Sequence, residues 1–409
     1  MNNDSRPLAL FRNVIIARWS LPQYGSLAIT TGIYALSHSA IGHLWTQINW
    51  GRYDTLIEKS LTGTSIILFD LSTIALPLAD AWLHEEWHRA VLSHRGISSF
   101  NDVYRLDLFA EMIAVSHVDD QDLVRLKQKY PAEQIRLSEA GIEGEQQLVL
   151  KLEKDNFFGR KNVWHYFLYW LIKLNSLFYV ASGNSTEVDE LTDEFNQKEG
   201  HNIEARDFMG HDFTAWVYDL HRPKEVYQER GIHPSGEGLD RYIKFSDLAS
   251  DERTFLRRQA QLQWLNFLDP HLIGLKSWRI PTSTPLRLNL SMGHMLTSFG
   301  YTVDTHLFLQ RNLINLFIVG HRFFNHQRRF SGLEIQLIDY PLNWKKSLLS
   351  HLRTRSLDTT QRTEHLHQSS RARWIIRAND LPAIVRPMVR LLRRKDQIRW
   401  LGGWQCQFG

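Results

Sequence analysis

The feature that most constrains the fold of this chain is a change in the spacing of its apolar residues near Pro281. Before that point the apolar residues fall in long runs and at helical spacing. After it, the segments PLRLNLSMG, GYTVDTHLFLQ and SGLEIQLIDYPL alternate apolar and polar side chains, as half-buried strands do. Helices followed by strands favour an α+β fold, with a mainly helical N-terminal region and an antiparallel β-rich C-terminal region, over alternating βαβ units.

Composition divides the chain into four segments. Residues 1–64 form an apolar N-terminal segment, in which residues 19–51 contain no Asp, Glu, Lys or Arg. This charge-free run is long enough to cross a bilayer, although its Ser, Thr, Gly and His residues equally suit a buried helix. Residues 65–275 are the main helical region, and residues 276–342 are the β-rich region. Residues 343–409 follow as a basic tail, which is either disordered or the product of a slip in the reading frame.

Charge and cysteine content limit the available chemistry. Residues 341–409 hold 14 basic and four acidic residues, whereas the remaining 340 residues hold 34 basic and 40 acidic ones. The basic tail lacks a recognisable binding module, so nucleic acid is not an expected partner. The N-terminus does not have the pattern of a signal peptide. The single cysteine, Cys406, excludes an intrachain disulfide and a zinc site built from several thiolates, so a metal would depend mainly on His, Asp or Glu.

The stretch ADAWLHEEWHRAVL contains a pattern suited to metal chemistry. His84 and His88 are four residues apart, and Glu85 directly follows the first histidine. On a helix both imidazoles project from one face, where their nitrogens can bind one Zn²⁺ at ~2.0–2.1 Å. Glu85 lies about 100° around the helix from His84, so it can reach a water beside the metal more easily than the metal itself.

The pentapeptide HEEWH, His84 to His88, resembles the HExxH motif of the zincin metallopeptidases. The resemblance is limited to these five residues and their helical context. It implies a zincin-like metal domain over residues 65–275, a Zn²⁺ cofactor, and a peptide or protein substrate. It also implies that Glu85 is the general base that activates the attacking water.

In the glutamate-type zincins the third metal ligand is a glutamate on a later helix. We expect Glu143 in this role, because Gly141 and Gly144 on either side of it would let its helix approach the HEEWH helix closely. Glu111 and Glu145 are the alternatives.

Three further residues are candidates for the site. His94 has the offset of the third histidine of the metzincins, but Val91 stands where those enzymes have glycine. Zincins commonly stabilise the oxyanion with a His, Tyr or Arg away from the metal, and His211 and Tyr242 are the candidates for that catalytic role.

The sequence therefore predicts a zinc-dependent metallopeptidase associated with a membrane or the cell envelope. The alternative is a non-enzymatic membrane or envelope protein whose C-terminal strands form part of a barrel or sandwich. Zinc content separates the two, because only the peptidase requires the metal. The sequence contains no signal for the oligomeric state or the cleavage preference.

Overall fold

The chain consists of two compact units, Met1–Lys276 and Ser277–Gly409. The computed structural model describes residues 21–49, 55–75, 78–105, 114–159, 162–281, 285–312, 314–325 and 328–338. Helices make up most of the first unit, and an antiparallel sheet makes up the described part of the second. This confirms the predicted α+β fold. The expectations for residues 1–20, Glu111 and the basic tail lie outside the described residues.

The first unit is a group of helices with one small two-stranded ribbon, β1 (Phe100–Asn101) and β2 (Val115–Ser116). Among the described residues, none of the helices combines the length and the apolar character needed to cross a membrane. In chain order the helices are α1 (Gln23–Asn49), α2 (Thr55–Ala75), α3 (Asp80–His94), α4 (Asp120–Lys129), α5 (Pro131–Phe158), α6 (His165–Ser182), α7 (Glu187–Glu199), α8 (Asp212–His221) and α9 (Ser250–Leu262).

Local sequence explains where the central helices begin. The side chain of Asp119 caps α4 by accepting a hydrogen bond of 3.0 Å from the backbone N–H of Gln121. Pro131 stands at the start of α5, where its missing N–H costs no helical hydrogen bond. Helix α5 is buried along most of its length, and it contacts α3, α4, α6 and α8. It is therefore the element around which the first unit packs.

Helices α3 and α5 approach each other closely because α5 has glycine at the crossing. A Cβ atom at Gly141 would lie 2.2 Å from Nε2 of His84, and one at Gly144 would lie 2.8 Å from the ring of Trp87. Neither position has room for a side chain without a shift of its neighbour. The expectation that these glycines let α5 pack against the HEEWH helix is confirmed.

The described part of the second unit is a five-stranded antiparallel sheet with the strands in sequence order. Alternation places aliphatic residues opposite one another on one face, for example Leu309 opposite Leu316 and Ile318 opposite Ile335. The strands are β3 (Trp278–Ile280), β4 (Leu286–Thr297), β5 (Gly300–Arg311), β6 (Ile314–Asn325) and β7 (Arg329–Ile338).

Candidate metal centre

Two histidines from α3 and one aspartate from α8 converge in the first unit. Nε2 of His84 lies 3.4 Å, and Nε2 of His88 3.6 Å, from Oδ2 of Asp212. All three ligand atoms lie within 4.8 Å of one another. The side chains of His84, His88 and Asp212 are 12%, 1% and 6% exposed. Two imidazole nitrogens and a carboxylate oxygen at this spacing could hold a divalent metal ion with one position left for water.

The other nitrogen of each imidazole is already hydrogen-bonded. Nδ1 of His84 lies 2.8 Å from Oε1 of Glu145, and Nδ1 of His88 lies 2.6 Å from the carbonyl oxygen of Leu137. Both partners are acceptors, so each Nδ1 donates, and in the neutral form of each ring the lone pair is on Nε2. The lone pairs therefore point to the side on which Asp212 lies, as they must in a metal site.

Helix α6 fixes the two carboxylates of this centre. Glu145 accepts hydrogen bonds from the side-chain amide of Asn175 at 3.2 Å and from the hydroxyl of Ser176 at 2.8 Å. Tyr179 donates its hydroxyl to Oδ2 of Asp212 at 2.8 Å, one helical turn after Ser176. These partners hold Glu145 against His84 and orient the Asp212 carboxylate. Sequence reasoning missed Tyr179, because nothing in a single sequence connects it with a residue of α8.

The pKa values in the centre are governed by burial and by opposite charges. Burial would lower the pKa of His84, but its interactions with Asp212 and Glu145 raise it well above the ordinary value. Burial would raise the pKa of Asp212, but His88 and His84 hold it well below the ordinary range. Burial raises the pKa of Glu85 to about 7, although both histidines oppose the shift. A carboxylate with such a pKa is suited to exchange protons near neutral pH.

Glu143 does not lie with these ligands. Its Oε2 accepts a hydrogen bond of 3.1 Å from Nη2 of Arg136, and both side chains are buried. Glu143 follows Gly141 by two residues, about 200° around the helix, so it faces away from His84. Glu145 follows Gly141 by four residues and therefore shares its face. The structure thus places Glu145 beside Nδ1 of His84. Asp212, and not the expected Glu143, offers the third possible ligand atom.

The predicted oxyanion residues lie in different surroundings. His211 directly precedes Asp212, and its ring centroid is 5.4 Å from that of Tyr179. Its Nε2 is 3.2 Å from the hydroxyl of Ser182, so His211 is at the edge of the centre. Tyr242 is buried and donates its hydroxyl to Glu199, which satisfies that hydroxyl. An oxyanion role stays a prediction for His211, and this geometry gives Tyr242 no support.

His94, the remaining ligand candidate among the described residues, does not join the centre. His94 is at the C-terminal end of α3, where its Nε2 lies 3.9 Å from a carboxylate oxygen of Glu133. Asp212 belongs to the polar stretch EARDFMGHDFTAWVYDLHRP, in which the sequence singles out no single ligand. It reaches the histidines only because α8 packs against α5.

Comparisons of the chain with protein-family models, curated proteins and solved structures found no match. Its function must therefore be inferred from the chemistry of its own residues.

Proposed function

We propose that this protein is a zinc-dependent metallopeptidase, with His84, His88 and Asp212 as the metal ligands. The observation that carries the proposal is the convergence of the three ligand atoms within 4.8 Å of one another. Gly141 adds support, because a Cβ atom there would lie 2.2 Å from the ligating Nε2 of His84. The donor set of two imidazoles and one carboxylate is typical of catalytic zinc, which usually leaves a coordination position open.

The side chains around the ligands have separate tasks in this proposal. Zinc, when bound, supplies a Lewis acid that polarises the scissile carbonyl and makes water a stronger acid. Glu85 accepts the proton of the attacking water and passes it to the leaving amine. Glu145 and Tyr179 position His84 and Asp212, respectively, through the hydrogen bonds described above.

Substitution of Glu85 by Gln tests the proposal. The full chain is purified without added metal, its zinc is measured by mass spectrometry, and its cleavage of casein is followed. We expect about one zinc ion per chain in both the parent and the variant. We also expect the variant to lose at least about 100-fold in turnover, because it keeps every ligand and lacks the base. Glu229→Gln, an exposed substitution in the same unit, is the matched control.

The alternative of a non-enzymatic protein makes different predictions for the same preparations. A parent chain that neither contains zinc nor takes it up on titration would overturn the metal site. A parent chain that binds zinc but cleaves no unfolded protein would indicate that the metal site is structural and not catalytic. Near-parental turnover in Glu85→Gln would remove Glu85 from the mechanism.

A further inference from the structure

Helices α1 and α2 bury several polar residues and expose many of their large apolar residues. Within the pair, Nε2 of His38 lies 2.7 Å from Oδ1 of Asp70, and both side chains are fully buried. The hydroxyl of Tyr34 lies 2.8 Å from Oγ1 of Thr73, also in the buried interior. Thr30 and Ser26 are buried on the same side of α1. A helix packed on a protein in water normally has the reverse arrangement.

The exposed side of the two helices is aliphatic along much of its length. On α1, Leu36 is 74% and Leu44 is 55% exposed, and on α2, Leu68 is 62% exposed. We use the name outer face for the exposed aliphatic residues Ile29, Ile33, Leu36 and Leu44 of α1 with Ile67 and Leu68 of α2. Exposed apolar side chains in such number mark a site of contact with a partner or a membrane.

The composition of the outer face favours lipid over protein as its partner. Protein interfaces are enriched in aromatic residues, Met and Arg at their centre, whereas the large exposed apolar side chains of α1 and α2 are Ile and Leu, except for Tyr24 near the start of α1. Helix α1 has no Asp, Glu, Lys or Arg over its 27 residues. Two of the charged residues of α2, Glu58 and Lys59, stand near its N-terminus, and Asp70 is buried against His38. No charge on the outer face has to leave water when it meets hydrocarbon.

The sequence that precedes α1 is basic, which suits an anionic membrane surface. The sequence that precedes α1 contains Arg6, Arg12 and Arg18 against a single acid, Asp4. Basic residues next to an apolar face are attracted to acidic headgroups within a Debye length. Inside the pair, His38 contacts Asp70 and Tyr34 contacts Thr73, while the large aliphatic side chains of the outer face are exposed.

We propose that the outer face of α1 and α2 inserts into the hydrocarbon boundary of a lipid bilayer. The helices lie along the membrane surface, as interfacial helices do, and the rest of the first unit covers their polar side. The inference rests on the exposed aliphatic side chains and the buried polar ones. It holds whether or not the metal centre is catalytic.

Vesicle binding by the full chain tests this inference. Vesicles of phosphatidylcholine with phosphatidylglycerol are sedimented with the parent chain and with the double substitution Leu36→Gln and Leu68→Gln. Each loss of an inserted leucine should lower the partition coefficient about ten-fold, and the pair about a hundred-fold. The control is the double substitution Ile232→Gln and Ile273→Gln. These isoleucines are 70% and 78% exposed and lie outside α1 and α2, so partition should not change.

Salt separates insertion from simple charge attraction. Binding of the parent should persist at about 1 M salt, where the Debye length falls to about 3 Å. Complete loss of binding under those conditions would overturn insertion into hydrocarbon. So would an unchanged partition coefficient in the leucine double variant. A chain that ignores vesicles and instead dimerises through Leu36 and Leu68, seen by light scattering, would show that a second copy covers the outer face.

A fluorescent label gives a measurement that does not depend on the leucine variants. Ser39 is exposed on α1 and Ser250 is exposed at the start of α9. In a Cys406→Ser background, an environment-sensitive dye on Ser39→Cys should shift to the blue with vesicles, and the same dye on Ser250→Cys should not. Equal shifts, or none at either position, would contradict the proposed orientation.

Discussion

Among the described residues of the first unit, two buried groups of histidine and carboxylate offer three ligand atoms each, and they differ in how their negative charge is balanced. In the first group, His84 and His88 surround Asp212. In the second group, Glu153, Asp269 and His271 also offer ligand atoms within 4.8 Å of one another. Both groups are buried, and each contains ligand types that a metal would accept.

The difference is the ammonium group of Lys173. Its Nζ lies 3.2 Å from Oε1 of Glu153 and also donates to Asp269. Burial would lower the pKa of Lys173, but the two carboxylates raise it above the ordinary value. In the described part of the chain, no Lys or Arg is paired with Asp212. Similar side chains can therefore form an ion cluster neutralised by Lys173 or a group without Lys or Arg that could hold an external cation.

The largest expected effect is the loss of metal on removal of Asp212. We expect Asp212→Asn to weaken zinc binding about a thousand-fold, because each ligand carries roughly a quarter of the ~10–16 kcal/mol of a four-ligand site. Asp269→Asn is the matched substitution in the second group and should keep about one ion per chain. Isothermal titration with zinc measures both. Equal losses of zinc affinity in the two variants would show that the two groups do not differ in metal binding.

A substitution in the second group should lower the stability of the fold and should not affect metal binding. Lys173→Met leaves Glu153 and Asp269 buried without their cation, so the free energy of unfolding should fall by about 3 kcal/mol. Urea denaturation of the full chain gives this value, and the exposed substitution Lys224→Met should stay within about 0.5 kcal/mol of the parent. A fall of less than about 1 kcal/mol would mean that Lys173 does not hold the cluster together.

A smaller effect is expected from substitutions of Glu145 and Gly141, which are neighbours of His84. Glu145→Gln replaces the charged acceptor for Nδ1 of His84 and should lower zinc affinity by about 10- to 100-fold. Gly141→Ala should act in the same range, because its Cβ would lie 2.2 Å from Nε2 of His84. The control is Glu143→Gln, which changes a carboxylate paired with Arg136 and should leave zinc affinity unchanged. A loss of zinc affinity in Glu143→Gln comparable with that in Glu145→Gln would favour Glu143 as the third ligand, as predicted from the sequence.

The smallest effect concerns a histidine–carboxylate group in the second unit, where the histidine itself is the cation. Nδ1 of His321 lies 2.9 Å from Oδ1 of Asp304. Burial would lower the pKa of His321, but Asp304 and Glu334 raise it to about 9. A raised pKa stabilises the fold fully below the unfolded value of about 6.5, and that contribution disappears as pH rises through about 9.

We therefore expect the second unit to lose about 2 kcal/mol of stability between pH 7 and pH 9. The urea transition of this unit, measured at several pH values, checks the loss. In His321→Gln the same transition should lose its dependence on pH over this window. A parent curve that is flat, or that rises with pH, would show that His321 is neutral in the folded unit.

Local patterns in the sequence were sufficient for the order of elements and for the helix that carries the histidines. Apolar spacing changes where the helices give way to strands, and the i, i+4 spacing of His84 and His88 fixes their common face. The small residues at Gly141 and Gly144 correctly indicated a close helix crossing. These features depend on residues that are close together in the sequence, so they can be predicted from a single sequence.

The third ligand required information that no local pattern contains. Helical geometry alone could have favoured Glu145 over Glu143, because Glu145 shares the face of Gly141. Asp212 could not have been selected in this way, since it reaches His88 only through the packing of α8 against α5. Nor does the sequence distinguish the group of His84, His88 and Asp212 from the group around Lys173. The two differ in whether a lysine lies beside the carboxylates, and only the folded structure shows this.

The burial of the metal ligands has a consequence for the rate at which an ion could leave. With the side chains of His88 and Asp212 only 1% and 6% exposed, a chelator in solution cannot displace them one at a time. Release would have to wait for local opening of α3 and α8. The rate of zinc loss should therefore reach a plateau as the chelator concentration increases, and that plateau would measure the opening rate of the protein.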